Sequence, residues 1–198
     1  MPRISPFRAL IGASADPGIA EDLRMTSVQH QDPREWLRRL RGDGDAAGIG
    51  RDLRWLDAPG RHLLTVGDPR YPPQLAAIPG CPPALFVRGD PAVLLRPQLA
   101  IVGSRSATCA GRETAFEFAA RLAAAGLVIT SGLAVGIDAA AHRGALHVRG
   151  ATIAVCGTGL DRIYPGEHEA LADGRIGADE TALLFNCASG LKYPLPPA

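Results

Sequence analysis

Short apolar runs alternate with amphipathic or alanine-rich stretches between residues 99 and 190. The apolar runs predict four strands, at residues 99–102, 127–130, 151–155 and 182–185. The stretches between them predict three helices, at residues 112–125, 138–148 and 167–172. Near-continuous apolar strands joined by helices are typical of a parallel sheet, because right-handed crossovers cover its faces with helices. We therefore predict an α/β fold, a Rossmann-like parallel sheet with helices on both faces.

The pattern before residue 60 is weaker. Asp32 as N-cap, Pro33 at the first position and Gly42 after the end indicate a short helix, Pro33–Arg41. The tract at residues 42–50, rich in glycine and aspartate, predicts a flexible loop. We therefore expect a small, mostly helical N-terminal region at residues 1–55, followed by the Rossmann-like domain at residues 56–198.

Two further features of this early part can be interpreted. Residues 63–66 and 84–87 are candidates for short strands, which we expect to form an approach to the main domain. The short helix carries four arginines, Arg34, Arg38, Arg39 and Arg41. They form either a solvated helix face or a contact with nucleic acid, and the solvated face is the ordinary outcome for such a cluster.

Composition narrows the class of protein. The 198 residues are 46% hydrophobic and carry a net charge of only +1, so a site for anions must be local and not a property of the whole surface. No apolar run reaches the roughly 18 residues that span a bilayer, and we expect a cytoplasmic protein without a membrane partner. The four cysteines are far apart, which predicts small core side chains and neither a zinc site nor disulfides.

Three predicted strands in succession end in small turns that contain glycine. These are Gly103-Ser104-Arg105, the segment from Ser131-Gly132 to Gly136, and Gly157-Thr158-Gly159. In an open parallel sheet such turns lie at the carboxyl edge, where ligands bind. Glycine lets the backbone approach a ligand, and the N-terminus of the next helix offers N–H donors to an anion. We predict a phosphate site there, although tight packing alone also explains such turns.

Neither GxGxxG nor GxxxxGK[ST] is found in the sequence, so we expect no dinucleotide cofactor, and no metal or other cofactor. Arg105 can bind a phosphate with its guanidinium fork, and Ser104 can donate a hydroxyl or cap its own turn. Tyr164 either stacks on a base or packs under the third turn. Asp138 and His142 share a helix face at spacing i, i+4, which predicts a hydrogen-bonded pair that supports the second turn. Catalysis would need a nucleophile or metal that the sequence does not show.

The order of these motifs resembles a known family. The segments are YPPQLAAIPGCPPALFVRGD, AIVGSRSATCAGRETA, GLVITSGLAVGIDAAAHRGAL and GATIAVCGTGLDRIYPGEHEAL. Over residues 62–172 they are similar to the bacterial DNA-processing protein family DprA/Smf. The resemblance implies an extended Rossmann fold that binds single-stranded DNA in a basic pocket, forms a homodimer and loads the RecA recombinase during natural transformation. It implies a recombination mediator and not an enzyme.

The same resemblance implies roles for particular residues. Arg105 would contact DNA, with Ser104, Ser131 and Gly132 lining the same phosphate pocket. After residue 185 the sequence departs from the family pattern, which continues with a Phe-Pro-x-Arg-Asn-Arg segment, so we expect a domain that is incomplete at its C-terminus. Two other functions stay open, a Rossmann-like enzyme that binds or hydrolyses nucleotides and a truncated remnant without activity.

Overall fold

The computed structural model describes residues 32–38, 41, 44–79, 81–156 and 160, and the backbone of residues 39–40 and 182–186. Its α-helices are α1 (Pro33–Arg41), α2 (Ala46–Leu56), α3 (Pro73–Ala76), α4 (Cys109–Ala124) and α5 (Ile137–His147), and a 3-10 helix spans Pro91–Leu95. Its strands are β1 (Arg61–Thr65), β2 (Ala84–Arg88), β3 (Gln98–Ala100), β4 (Val128–Ser131), β5 (Thr152–Cys156) and β6 (Ala182–Asn186). The predicted helix at 167–172 lies outside the described residues.

All six strands belong to one sheet, in the order β1-β2-β6-β5-β4-β3. The four strands from β3 to β6 run parallel, whereas β2 is antiparallel to both β1 and β6. The prediction of an α/β fold with a parallel sheet is therefore confirmed. The expected approach segment is in fact part of the sheet, because β1 and β2 extend it beyond β6.

The parallel strands follow one another in a single direction across the sheet, so right-handed crossovers place α4 and α5 on the same face. On that face Phe86 and Ala154 share a buried cluster with Leu146 of α5. On the other face Leu85 and Ile153 pack with side chains of the 3-10 helix and with Leu75 and Ala76 of α3. Both faces thus carry helical segments. The long helices cover one face, and short ones cover the other.

The N-terminal helices differ from the prediction in one respect. Asp32 caps α1 as expected, accepting a hydrogen bond from the Arg34 N–H. The tract predicted as a loop, however, contains the start of α2, because Asp45 caps that helix by accepting the Gly48 N–H at 2.9 Å. The glycines at 48 and 50 lower helix propensity without preventing a helix that buries one of its faces.

Helices α1 and α2 contribute to the main core. Leu37 and Trp55 belong to the same buried cluster as Phe86 of β2, and the rings of Trp55 and Phe86 meet edge to face with centroids 5.9 Å apart. The domain boundary between residues 55 and 56 stays a prediction. Any such boundary would run through a shared apolar cluster and not through a linker.

Candidate nucleic-acid interface

The carboxyl ends of β3 and β4 are tied together by two hydrogen bonds. The Ile101 N–H donates to the Thr130 carbonyl at 3.0 Å, and the Ser131 hydroxyl donates to the Ile101 carbonyl at 2.6 Å. Ser131 is only 3% exposed, and its hydrogen is used within the protein. Since a phosphate can only accept, this hydroxyl has no hydrogen left to donate to it, and the role of Ser131 in lining a phosphate pocket stays a prediction. The side chain instead fixes where the first turn leaves the sheet.

The turn that follows β3 presents an exposed arginine. The Ser104 hydroxyl accepts the Ser106 N–H at 3.1 Å and so caps its own turn. Arg105 is exposed, and its side chain has no hydrogen bond or ion pair with any residue that the structure describes. The guanidinium is therefore available to an outside acceptor. The phosphate contact expected of Arg105 stays a prediction.

Gly103 and Gly136 allow the first and second turns to touch. A Cβ on Gly103 would come within 2.8 Å of the Ile137 side chain, so the glycine makes room for that side chain. Gly136 has a φ of +88° and lies directly against the carbonyls of Ser104 and Arg105. The Ile137 N–H donates to the Ser104 carbonyl at 3.2 Å. Contacts with the start of α5 thus hold the Arg105 turn in place.

The helix N-termini offer an anion fewer donors than the sequence predicts. Helix α4 begins at Cys109 and not at residue 112, and its N-cap Thr108 already accepts the Gly111 N–H. In α5 the N–H groups of Ile137 and Ala139 donate to protein carbonyls. The buried carboxylate of Asp138 also lies in the second turn, close to Gly132 and within 3.4 Å of the Ala134 N–H. The side chain of Arg105 therefore offers an anion more hydrogen-bond donors than the N-terminus of α4 or of α5 does.

Asp138 and His142 are both buried, but they have different partners. The hydroxyl of Thr152 donates to the Ile129 carbonyl at 2.7 Å, so it must accept from His142 Nδ1, also at 2.7 Å. The predicted Asp138–His142 hydrogen bond is therefore wrong. The imidazole links α5 to β5 and β4, while the carboxylate of Asp138 holds the second turn. Each residue supports the fold, but through its own contact.

Several predicted positions cannot be compared with the structure. Gly157, Gly159 and Tyr164 lie outside the described residues, and their roles stay predictions. Within the described ranges no group of three or more His, Cys, Asp or Glu side chains is arranged to hold a metal ion. None of the described helices has the length and apolar character to cross a membrane. Of the cysteines, Cys81 and Cys156 are buried as predicted, whereas Cys109 is exposed.

Sequence analysis missed three residues that shape the site. Thr108 caps α4. Threonine is one of the residues typical of an N-cap, so its position directly before Cys109 indicates a helix start earlier than residue 112. Ile137 fills the space beside Gly103, and Thr152 orients His142 from β5. The last two contacts join different elements of the fold, so no pattern within one element could have indicated them.

The chain is similar to proteins of a known family. The model of the family described as DNA recombination-mediator protein A matches residues 62–190. The protein Smf of Escherichia coli is 47% identical over 124 residues, which are 63% of this chain and 33% of that protein. The DNA processing protein DprA of Streptococcus pneumoniae is 44% identical over 120 residues, or 61% of this chain and 42% of that one. The match thus spans well under half of each curated relative.

Solved structures show the same likeness. The crystal structure of DprA from Streptococcus pneumoniae has a TM-score of 0.62 and 30% sequence identity, covering 89% of this chain and 63% of that one. A structure of DNA processing protein A from Helicobacter pylori, which shows the single-stranded DNA binding mode of that protein, has a TM-score of 0.54 and 28% identity over 64% of this chain and 54% of that one. With the family model covering more than half of its length, this chain belongs to the DNA recombination-mediator protein A family.

Proposed function

We propose that this protein binds single-stranded DNA through the Arg105 turn and acts as a recombination mediator. The observation that carries the proposal is the exposed Arg105 guanidinium, without a described partner, on a turn fixed by Gly136 and the Ile137 N–H. A cation held at the carboxyl edge of a parallel sheet suits a phosphodiester. Membership of the family and the DNA-binding relative from Helicobacter pylori support the same ligand.

Arg105 has a natural control in the same chain. Arg96 precedes β3 and Arg105 follows it, so these two exposed arginines lie at opposite ends of one strand. Binding of a fluorescently labelled single-stranded oligonucleotide can be followed by anisotropy at several salt concentrations. We expect Arg105→Ala to weaken binding about tenfold or more, as the loss of one hydrogen bond to a charged group does. The slope of log affinity against log salt should fall by about 0.7. Arg96→Ala should leave both quantities unchanged.

Equal losses in the two variants would show a diffuse charge effect and would contradict a site at the Arg105 turn. Binding that does not depend on salt would contradict phosphate recognition altogether, because release of counterions accompanies every phosphate contact. Thermal unfolding of each variant provides the control for folding. Since Arg105 has no described partner, its removal should leave the melting temperature unchanged.

The proposal includes binding and not catalysis. Asp138 and His142 are committed to contacts within the protein, which leaves the described part of the site without an acid–base pair directed at a ligand. Incubation with a panel of nucleoside monophosphates should therefore release no free base. Release that disappears in Asp138→Asn would instead favour a nucleotide-hydrolysing enzyme.

Partner proteins form the last part of the proposal. We propose that DNA bound at this site is protected and passed to RecA during natural transformation, in the cytoplasm, and that the protein acts as a homodimer. The chain spans a third of the Escherichia coli relative, so each of these activities needs its own test. Sedimentation of the protein alone measures dimer formation, and RecA filament assembly on oligonucleotides with and without the protein measures loading.

A further inference from the structure

A polar cleft lies beside the Arg105 turn. It is an open space of ≈ 370 Å³ between the first halves of α4 and α5. Arg112, Glu113 and Phe116 line it from α4, and Arg143 lines it from α5. Its floor is formed by small residues, because Gly136, Ala139 and Ala140 leave room between the helices. A volume of this size can accommodate a single nucleotide unit.

The charges in the cleft favour an anion. Two guanidinium groups face one carboxylate, Glu113, so the net charge of the lining is positive. Arg143 is exposed and has no hydrogen bond or ion pair with a described residue. Arg112 donates to the Ala107 carbonyl at 2.6 Å and contacts Cys109 Sγ at 3.3 Å. Both are neutral acceptors, so the charge of Arg112 is held in place without being neutralised.

The cleft also contains an aromatic side chain. Phe116 is half-buried, and its ring contacts that of His147 at a centroid distance of 5.4 Å. A ring held in this way provides an apolar surface for a nucleobase, since every base has a π-face and stacking needs no particular sequence. An aromatic ring with nearby guanidinium groups is the combination that single-stranded nucleic acids bind.

The cleft and the Arg105 turn are continuous. Gly136 lies against the carbonyls of Ser104 and Arg105 on one side and lines the cleft on the other. Arg112 is hydrogen-bonded to Ala107, in the segment that leads from Arg105 to α4. A strand that leaves Arg105 along this segment therefore meets Arg112 next. The charges of Arg105 and Arg112 therefore belong to one continuous surface and not to two separate sites.

We propose that this cleft between α4 and α5 binds a nucleotide of the same DNA strand that Arg105 holds. Arg112 and Arg143 contact its phosphodiester, and its base packs against Phe116. This inference rests on the proposed function, since it extends the binding surface by one nucleotide. It assigns Glu113 an opposing role, because its carboxylate repels the same phosphodiester.

The test uses the full chain and a labelled oligonucleotide, with anisotropy as the readout. We expect Arg143→Ala to weaken binding about fivefold to tenfold. Phe116→Leu, which keeps an apolar side chain but removes the ring, should weaken binding by a similar factor. Glu113→Gln should strengthen binding about twofold, because it removes an exposed like charge. Arg121→Ala, on the same helix but outside the cleft, is the matched control and should bind as the wild type does.

The outcomes separate the two proposals. If Arg105→Ala weakens binding while Arg143→Ala, Phe116→Leu and Glu113→Gln bind as the wild type does, the cleft proposal is overturned and the Arg105 site stands. If the wild type does not bind the oligonucleotide, both proposals fail. A direct readout is photocrosslinking with an oligonucleotide that contains 5-iodouracil, followed by mass spectrometry of the peptides. A crosslink on the peptide with Phe116 supports the cleft, and crosslinks only elsewhere contradict it.

Discussion

Charged side chains join α1 to α2, whereas small side chains join α4 to α5. At the first junction the side chains of Arg41 and Asp52 are each 2% exposed and form an ion pair at 2.6 Å, and Arg41 also contacts Asp45 at 2.6 Å. At the second junction alanines from both helices, among them Ala119 and Ala141, pack over Ile129. Gly144 of α5 lies directly against the backbone of Phe116 in α4.

The difference shows what each kind of packing leaves for a ligand. Arg41 has a structural role, because its guanidinium pairs with two carboxylates, those of Asp45 and Asp52. Helices α4 and α5 pack through alanine and glycine, without an ion pair between the described residues of the two helices. Arg112 and Arg143 are therefore not used in this packing and line an open cleft. The same residue type thus serves structure in one helix pair and is available for binding in the other.

The largest expected effect is the loss of the buried ion pair. Arg41→Ala leaves the Asp52 carboxylate buried without its cation, which should lower the free energy of unfolding by about 3–5 kcal/mol. Urea denaturation measures this change. In the other helix pair the matched variant Arg143→Ala should change it by less than about 0.5 kcal/mol. The double variant Arg41→Met with Asp52→Leu should recover most of the loss, and failure to do so would show that α1 needs the charges themselves.

Gly144 provides the corresponding test of the small-residue junction. A Cβ at this position would collide with the Phe116 carbonyl and come within 3.0 Å of the Ala119 Cβ. Gly144→Ala should therefore cost about 1–3 kcal/mol of stability, as overpacking does. Gly50→Ala in α2 is the control, because its new Cβ would meet only the Arg54 side chain at 3.5 Å. It should stabilise the protein by about 0.5–1 kcal/mol. A Gly144→Ala variant that is as stable as the wild type or more stable would contradict close packing at Gly144.

The smallest expected effect is on the acid side of the pH–stability profile. Hydrogen bonds from Arg41 and then from the Gly48 N–H hold the pKa of Asp45 below its ordinary value of 3.8. A carboxyl whose pKa is lower in the folded state stabilises the fold above its unfolded pKa, and this contribution is lost as pH falls through the folded value. Asp45→Asn should therefore flatten the profile below about pH 4. Parallel profiles for the two proteins, obtained by urea denaturation at each pH, would show that Asp45 does not contribute.

Much of the fold could be predicted because its signals are local. The apolar runs at β4 and β5 and the cap at Asp32 lie within a few residues of the elements they define. Helix α2 was missed because its glycines lower propensity, while the burial of Ile49 and Trp55 that stabilises it depends on the rest of the core. The place of β1 and β2 in the sheet depends on pairing with β6, across about 100 residues of chain.

In the candidate site, too, features with a local signal could be predicted and contacts between distant elements could not. Glycines that permit close contact could be recognised by their positions after strands, and Gly103 and Gly136 do lie where two turns touch. The partners of polar side chains could not be recognised. The Ser131 hydroxyl donates to the Ile101 carbonyl, and His142 is hydrogen-bonded to Thr152. Only the folded chain brings these groups together. Spacing shows which residues share a face but not which acceptor is nearest.

The position of β6 in the sheet has a consequence for the order of folding. The β1–β2 hairpin joins neighbouring segments, and the β3, β4 and β5 strands can pair in sequence. Among the described strands these two groups are joined through β6, which pairs with β2 on one side and β5 on the other. During synthesis the ribosome must therefore release residues 182–186 before the sheet can close, and until then β2 and β5 each expose an unpaired edge.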